Sequence, residues 1–396
     1  MRRTLIITGI VVVIIGVGVA IYFLFFAKPA VTVPNTTLPS AGQGTPPSGS
    51  TSSATTPQSG PKAVTARLVK ISAGPVVPGE AVVDVKSGAA SSSPEVTVNY
   101  IERQSGNVFS YSERTQTLTR TSNKTLPGIQ SAAWLPDGSA ALVRYLSGAD
   151  FSTINTYALF ATSSDGFFLA QNLTDVAVSS ANILTLASGM NGSVASLSNK
   201  DGSHSVSVFT SPLSALRVSY AGKDHYLAFT KPSGSLSGDA FIIDTAGNFS
   251  RVGGARVGLV ALASPSGKWV LISSVRGSTM QLELVDTTTN EIITLPVATI
   301  ADKCVWAADD SAIYCGVPLA PPVDAAYPDD WYQGTVHFSD RLWKIDVAGR
   351  YAQLVLDFPK ETKGDALDAQ ALALDPSRAA LVFVNKNDGS LWSYSL

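Results

Sequence analysis

Two adjacent carboxylates, two aromatic side chains and an imidazole crowd into one short stretch of this sequence: Asp329, Asp330, Trp331, Tyr332 and His337. Carboxylates beside an imidazole can carry protons to and from a substrate, and a pair of carboxylates is what glycoside hydrolysis requires. Tryptophan and tyrosine add flat apolar area with a polar handle, which suits recognition of a sugar or a peptide. The same residues also suit a self-packed loop that caps a channel, with Trp331 as its plug. Both readings stay open at this level.

The familiar signatures of catalysis are missing from the chain. Gly234-Ser-Leu-Ser-Gly238 puts Leu236 where a nucleophile elbow needs serine, and neither a phosphate-cradling Gly-x4-Gly-Lys-[Ser/Thr] loop nor a His-Glu-x2-His helix occurs. The three histidines, His204, His225 and His337, stand far apart and read as loop or strand residues rather than ligands. Asp137-Gly138, Asp165-Gly166, Asp201-Gly202 and Asp388-Gly389 lack the spacing of calcium loops and read as tight turns. No catalytic set, metal or cofactor is therefore expected. Only 15% of the 396 residues are charged and the net charge is −2, which argues against nucleic acid as a partner.

The elements that must hold the cluster follow from a repeat. Segments beginning at Trp134, Ala177, Tyr220, Ala263 and Trp306 share one pattern, an apolar strand, a tight polar turn and a second apolar strand, at a constant step of 43 residues. That step is the length of a four-stranded propeller blade. Leu374 opens a sixth copy after one step plus 25 inserted residues, and Ser91 opens a weaker seventh. The fold expected is an all-β, seven-bladed β-propeller over residues 63–396, with the insert, 317–339, between the second and third strands of the sixth blade. Such loops emerge on the face that also carries the connections between blades. The last unit, opened at Leu374, reaches only a third strand, Gly389 to Leu396, so Arg67-Leu-Val-Lys-Ile-Ser72 is expected to supply the missing outer strand and close the ring.

Around the turn Asp309-Asp310, facing residues of an antiparallel hairpin keep a constant sum of positions, and Cys304 and Cys315 satisfy it. They are expected to face each other and form a disulfide in an oxidising compartment.

Residues 5–27 carry no charge and would span about 34 Å as a helix, enough to cross a bilayer. Arg2 and Arg3 before that run, against Lys28 alone after it, favour a cytoplasmic N-terminus. Residues 1–28 thus read as a transmembrane signal anchor. Residues 29–62, almost entirely Ser, Thr, Pro, Gly, Ala and Val, read as a disordered tether. The propeller would then lie outside the cytoplasm, held at the cell membrane.

Through Trp134-Leu-Pro-Asp-Gly138 and Ser264-Pro-Ser-Gly-Lys268 the chain resembles the TolB-like and WD-repeat propeller superfamily. Through Tyr100-Ile-Glu-Arg-Gln-Ser-Gly-Asn107 and Tyr327-Pro-Asp-Asp-Trp-Tyr-Gln-Gly334 it is similar to uncharacterised membrane-anchored propellers of bacteria. The resemblance implies a fold and carries no catalytic residues, because propellers host many unrelated functions. The leading functional expectation is a binding or scaffold module of the cell envelope, meeting a protein or glycan partner on the insert face. The alternative is an envelope lyase or hydrolase acting on glycans or peptides, with Asp329, Asp330 and His337 at the channel mouth.

Overall fold

At the fifth position of four repeat units the chain turns back on itself through a left-handed residue: Gly138, Gly267, Asp310 and Arg378, with φ between 60° and 77°. Glycine carries this conformation without cost, and Asp310 holds it by binding the neighbouring turn, its carboxylate accepting from Ser264 Oγ at 2.9 Å and from the Ser266 amide at 3.2 Å. Gly267 has a second reason to be glycine, since a Cβ there would lie 2.5 Å from the Ala221 carbonyl oxygen. Each turn joins the first and second strands of one blade. Of the Asp-Gly pairs, Gly138, Gly202 and Gly389 take positive φ, whereas Gly166 lies within a strand.

The computed structural model describes residues 67–85, 95–163 and 165–396, in 28 strands numbered β1 to β28 in chain order. They form seven four-stranded antiparallel sheets, the blades of a β-propeller. Blades one to six are built from consecutive strands, from β2 (Ala81–Val85) to β25 (Tyr351–Leu356). The seventh joins β26 (Ala369–Leu374), β27 (Ala380–Asn385) and β28 (Leu391–Ser395) to β1 (Leu68–Lys70) from the other end of the chain. Leu68 pairs with Tyr394 and Lys70 with Trp392, the closure expected of Arg67 to Ser72. The expected anchor, 1–28, and tether, 29–62, lie outside the described residues, as does the turn that opens the first repeat unit. Among the described residues no helix is long and apolar enough to cross a membrane.

The pattern of apolar residues follows from the stacking of blades. Every residue of β27 is buried, and Val270 to Ser274 form a buried run in β19 (Trp269–Arg276), because the middle strands are covered on both faces by neighbouring blades. The outer strand β5 (Thr117–Arg120) is exposed at every position. Tryptophan at the head of the repeat ties adjacent blades: Trp134 Nε1 donates to Gly79 O at 3.1 Å and Trp306 Nε1 to Leu262 O at 3.4 Å.

Cys304 and Cys315 are register partners in the sixth blade, on β22 (Cys304–Trp306) and β23 (Ala312–Pro318), and are joined as a disulfide with a Cα–Cα distance of 4.1 Å. The bond crosses between the inner two strands immediately before the insert. Val317 and Pro318 belong to β23, so the insert proper runs from Leu319 to Ser339.

Beside the first blade Glu80 is 8% exposed, and neither carboxylate oxygen has a side-chain hydrogen-bond partner. Burial pushes its pKa well above the ordinary value, with only the Gly79 amide opposing. The folded state therefore holds this proton more tightly than the unfolded chain. The resulting stability is full below the unfolded pKa and is lost as pH rises through the folded one. Glu80→Met is expected to raise stability at pH 7 by roughly 1–3 kcal/mol, with a smaller gain at pH 4. Melting curves at both pH values check this, and equal gains at the two would contradict it.

Candidate functional site

The insert departs from the sheet as an irregular loop and makes one turn of helix, Asp329–Gln333, closed by Gly334 in the left-handed conformation at φ 76°. Proline on its N-terminal side and the Asp330 carboxylate, which accepts from the Ala326 amide at 2.7 Å, set its start. The loop then packs on its own aromatics. Tyr327, Trp331 and Phe338 are 2–3% exposed, with ring centroids 5.8 Å apart for Tyr327 and Phe338 and 6.5 Å for Trp331 and Phe338.

The seat beneath Trp331 is charged. Lys303, Asp340 and Asp368 are all 0% exposed. Lys303 stands at the entry to β22, Asp340 heads β24 (Asp340–Asp346), and Asp368 immediately precedes β26. The Lys303 ammonium contacts the Asp368 carboxylate, lies 2.8 Å from Asp340 Oδ2, and donates to Ala369 O at 2.9 Å. Trp331 Nε1 donates to both Asp368 oxygens, at 3.2 and 3.0 Å, and the Phe338 amide donates to Oδ2 at 3.0 Å. The Trp331 ring also faces two cations, with Lys303 Nζ 5.0 Å and Lys386 Nζ 5.5 Å from its centroid. Burial raises the Asp340 carboxyl to about 6 against the opposing pull of Lys303, with Asp368 adding to the rise.

From this seat the insert reaches the fourth blade. Asp329 Oδ2 accepts from the Gly234 amide at 2.9 Å. Tyr332 donates its hydroxyl proton to Asp302 Oδ2 at 2.7 Å and accepts from Arg217 at 3.3 Å, while Arg217 also bonds Asp302 at 2.7 Å. Burial and Asp302 hold the Tyr332 phenol well above its usual pKa, with Arg217 opposing. Burial disfavours the Arg217 charge, but Asp302, Tyr332 and Asp175 outweigh it and raise that pKa above the ordinary value. Glycine is required where the loop crosses the fifth blade, since a Cβ on Gly258, whose φ is +69°, would lie 2.8 Å from Tyr327 O.

A cavity of about 910 Å³ is walled by strands of blades two to four and by Asp329, Tyr332 and Gln333 of the insert. Its charges are Arg144, Arg217 and Lys231 against Asp175 and Asp329. Both carboxylates are committed to backbone amides, Asp175 to Val218 at 2.8 Å and Asp329 to Gly234. Arg144 uses Nη2 on the carbonyls of Leu173 and Thr174, at 2.6 and 3.2 Å, and its buried Nε has no partner. Burial lowers the Arg144 pKa, with Asp175 opposing.

The five singled-out residues thus go to different places. Asp329 and Tyr332 line the cavity, Asp330 is spent inside the loop, and Trp331 is buried on its charged seat. His337 is exposed and lines a separate shallow recess with Ala366 and Asn387. Asp329, Asp330 and His337 do not share one pocket. Among the described residues no group of three or more His, Cys, Asp or Glu side chains could hold a metal ion. Sequence reading missed Arg144, Asp175, Arg217 and Lys231 of the cavity and Lys303 and Asp368 of the seat. Arginine inside the strand segments Leu-Val-Arg-Tyr-Leu and Leu-Arg-Val-Ser-Tyr was the available signal.

No protein-family model and no curated protein matches the chain. Solved structures do. An oligogalacturonate lyase in complex with manganese is 11% identical with a TM-score of 0.50, over 81% of this chain and 98% of that one. The oligogalacturonate lyase of Vibrio parahaemolyticus is 9% identical with a TM-score of 0.53, over 83% and 93%. The β-propeller domain of the Trilobed protease from Pyrococcus furiosus is 9% identical with a TM-score of 0.49, over 80% and 94%. At such identities the likeness to the two lyases is one of fold.

Proposed function

We propose that this chain is a membrane-anchored, extracytoplasmic binding module, whose propeller meets an anion-bearing segment of a protein or glycan partner in the cavity on its insert face. The observation that carries this reading is that two cations of the cavity, Arg144 and Lys231, make no ion pair among the described residues, whereas Arg217 is paired with Asp302. The cavity's two carboxylates already accept backbone N–H groups, whereas Arg144 retains an unpartnered Nε and Lys231 is exposed on the rim. Volume in this range suits a ligand with one or two polar anchor points. The uncharged run 5–27 and the Ser/Thr/Pro-rich 29–62 support display from the cell membrane.

The alternative, an envelope lyase or hydrolase acting on glycans or peptides, draws on the oligogalacturonate lyase names of two proteins of the same fold. Against it stands the scattering of Asp329, Asp330 and His337.

Titration of the full chain in lipid nanodiscs separates the readings, using acidic oligosaccharides, acidic peptides and their neutral counterparts as probes. Binding of an acidic probe is expected, weakened about tenfold or more by Lys231→Glu, as for a charge pair worth about 1.4 kcal/mol or more. A new C=C absorbance or a new reducing end would establish the enzyme instead. Equal binding of neutral probes, or none tighter than about 1 mM, would overturn the proposal.

A further inference from the structure

The charged seat under the insert holds every group that amide formation between two side chains needs. We propose that Lys303 and Asp368 join through an intramolecular isopeptide bond between Lys303 Nζ and Asp368 Cγ, with Asp340 as the proton relay. An amine in contact with a carboxyl group at a site closed to water reacts as a neighbouring nucleophile, because orientation replaces the entropy of encounter.

The two oxygens of Asp368 have different surroundings. Oδ1 faces the Lys303 ammonium. Oδ2 receives the Phe338 amide and Trp331 Nε1, each at 3.0 Å, so two fixed donors meet the oxygen on which negative charge develops as the tetrahedral centre forms. Trp331 Nε1 also touches Oδ1 at the longer distance of 3.2 Å. Asp340 has one oxygen, Oδ2, 2.8 Å from Lys303 Nζ, fixed by the Ala369 amide at 2.7 Å, and a second, Oδ1, buried with no partner. A carboxyl with one free oxygen in the site can take a proton from the nitrogen and return it.

The step balances without a further reactant. Of the three ammonium protons one stays on the amide nitrogen, and two leave with Oδ1 as water, relayed by Asp340, which ends in the ionisation state in which it began. The Nζ–Cγ bond forms, the Cγ–Oδ1 bond breaks, and nothing is oxidised. The product ties the sixth blade to the seventh at its strand β26, on the opposite edge of that blade from β1. It leaves Oδ2 as an amide oxygen that still accepts from Trp331 and Phe338.

The experiment is the mass of the purified full chain after denaturation and reduction. The expected value is one water, about 18 Da, below that of the sequence. Trypsin should fail to cut after Lys303, and fragment ions should show a branched peptide joining Lys303 to Asp368. Asp340→Asn and Lys303→Gln should restore the full mass. The proposal is overturned if the wild-type chain has its full mass and is cut after Lys303. It is equally overturned if the lost water maps elsewhere, for instance to Asp137-Gly138. Because the wild-type measurement decides, variants that fail to fold do not blunt the test.

Discussion

Asp368→Ala is expected to lower stability by about 3–5 kcal/mol and to release the insert, a larger effect than any other single side chain of the site should give. The carboxylate it removes accepts from Trp331 Nε1 and the Phe338 amide and contacts the Lys303 ammonium. All three donors lie in fully buried or nearly buried residues. Lys303 would keep only Asp340 as a charged partner, with neither the ion pair nor the proposed amide to Asp368 open to it, and two N–H groups would lose their acceptor without gaining water. Because that acceptor holds the indole of Trp331, the loop from Leu319 to Ser339 should lose its fixed path. Chemical denaturation read by tryptophan fluorescence measures the stability loss. Limited proteolysis reads the loop, with new early cuts expected within 319–339. An unchanged midpoint and an unchanged digestion pattern would show that the seat does not hold the insert.

Deleting residues 67–72 is expected to open the ring. The segment contributes the outer strand of the seventh blade through a ladder in which the Ser395 amide donates to Arg67 O at 2.9 Å and the Ile71 amide to Leu391 O at 2.9 Å. The Leu391 amide donates to Ser72 Oγ at 2.8 Å, and Arg67 binds Ser395 O while its guanidinium lies 5.0 Å from the Tyr394 ring centroid. With each bond contributing about 1 kcal/mol net, the loss is on the order of 5 kcal/mol. It also leaves β28 with an unpaired edge, a template for pairing with another chain. A lower melting temperature and increased light scattering on mild heating are expected. A deletion that stays monomeric with an unchanged melting temperature would mean that the seventh blade is stable with three strands.

How much of this was legible beforehand depends on the range of the interaction. The 43-residue step exposed the blades because the units repeat the same local chemistry: an apolar strand, a tight polar turn that takes a left-handed fifth residue in four of them, and a buried middle strand. Register was legible for the same reason, since facing positions across one hairpin are fixed by counting, and Cys304 and Cys315 sit opposite each other on that count. The closing strand was legible because a blade with three strands leaves an edge to be filled. The blades and the register follow from short-range rules, and the closure from the cost of one open edge.

What the insert does was decided by contacts between residues far apart in the chain. Lys303, Asp340 and Asp368 have no motif in common, and only the closing of blades six and seven side by side brings them under Trp331. Asp329, Asp330 and His337 look like one constellation in sequence because they lie within nine positions. A single helical turn nevertheless sends Asp329 to the fourth blade, keeps Asp330 within the loop and leaves His337 in a separate recess beside Ala366 and Asn387. Likewise Arg144, Asp175 and Arg217 come from three successive blades and meet only because the inner strands converge on one axis. The sequence alone determined the blade count, the strand order and the closure, since these are set by local pattern and by the cost of an open edge. The tertiary structure alone decided which charges face one another, because the energy of a buried charge depends on whatever the fold places around it.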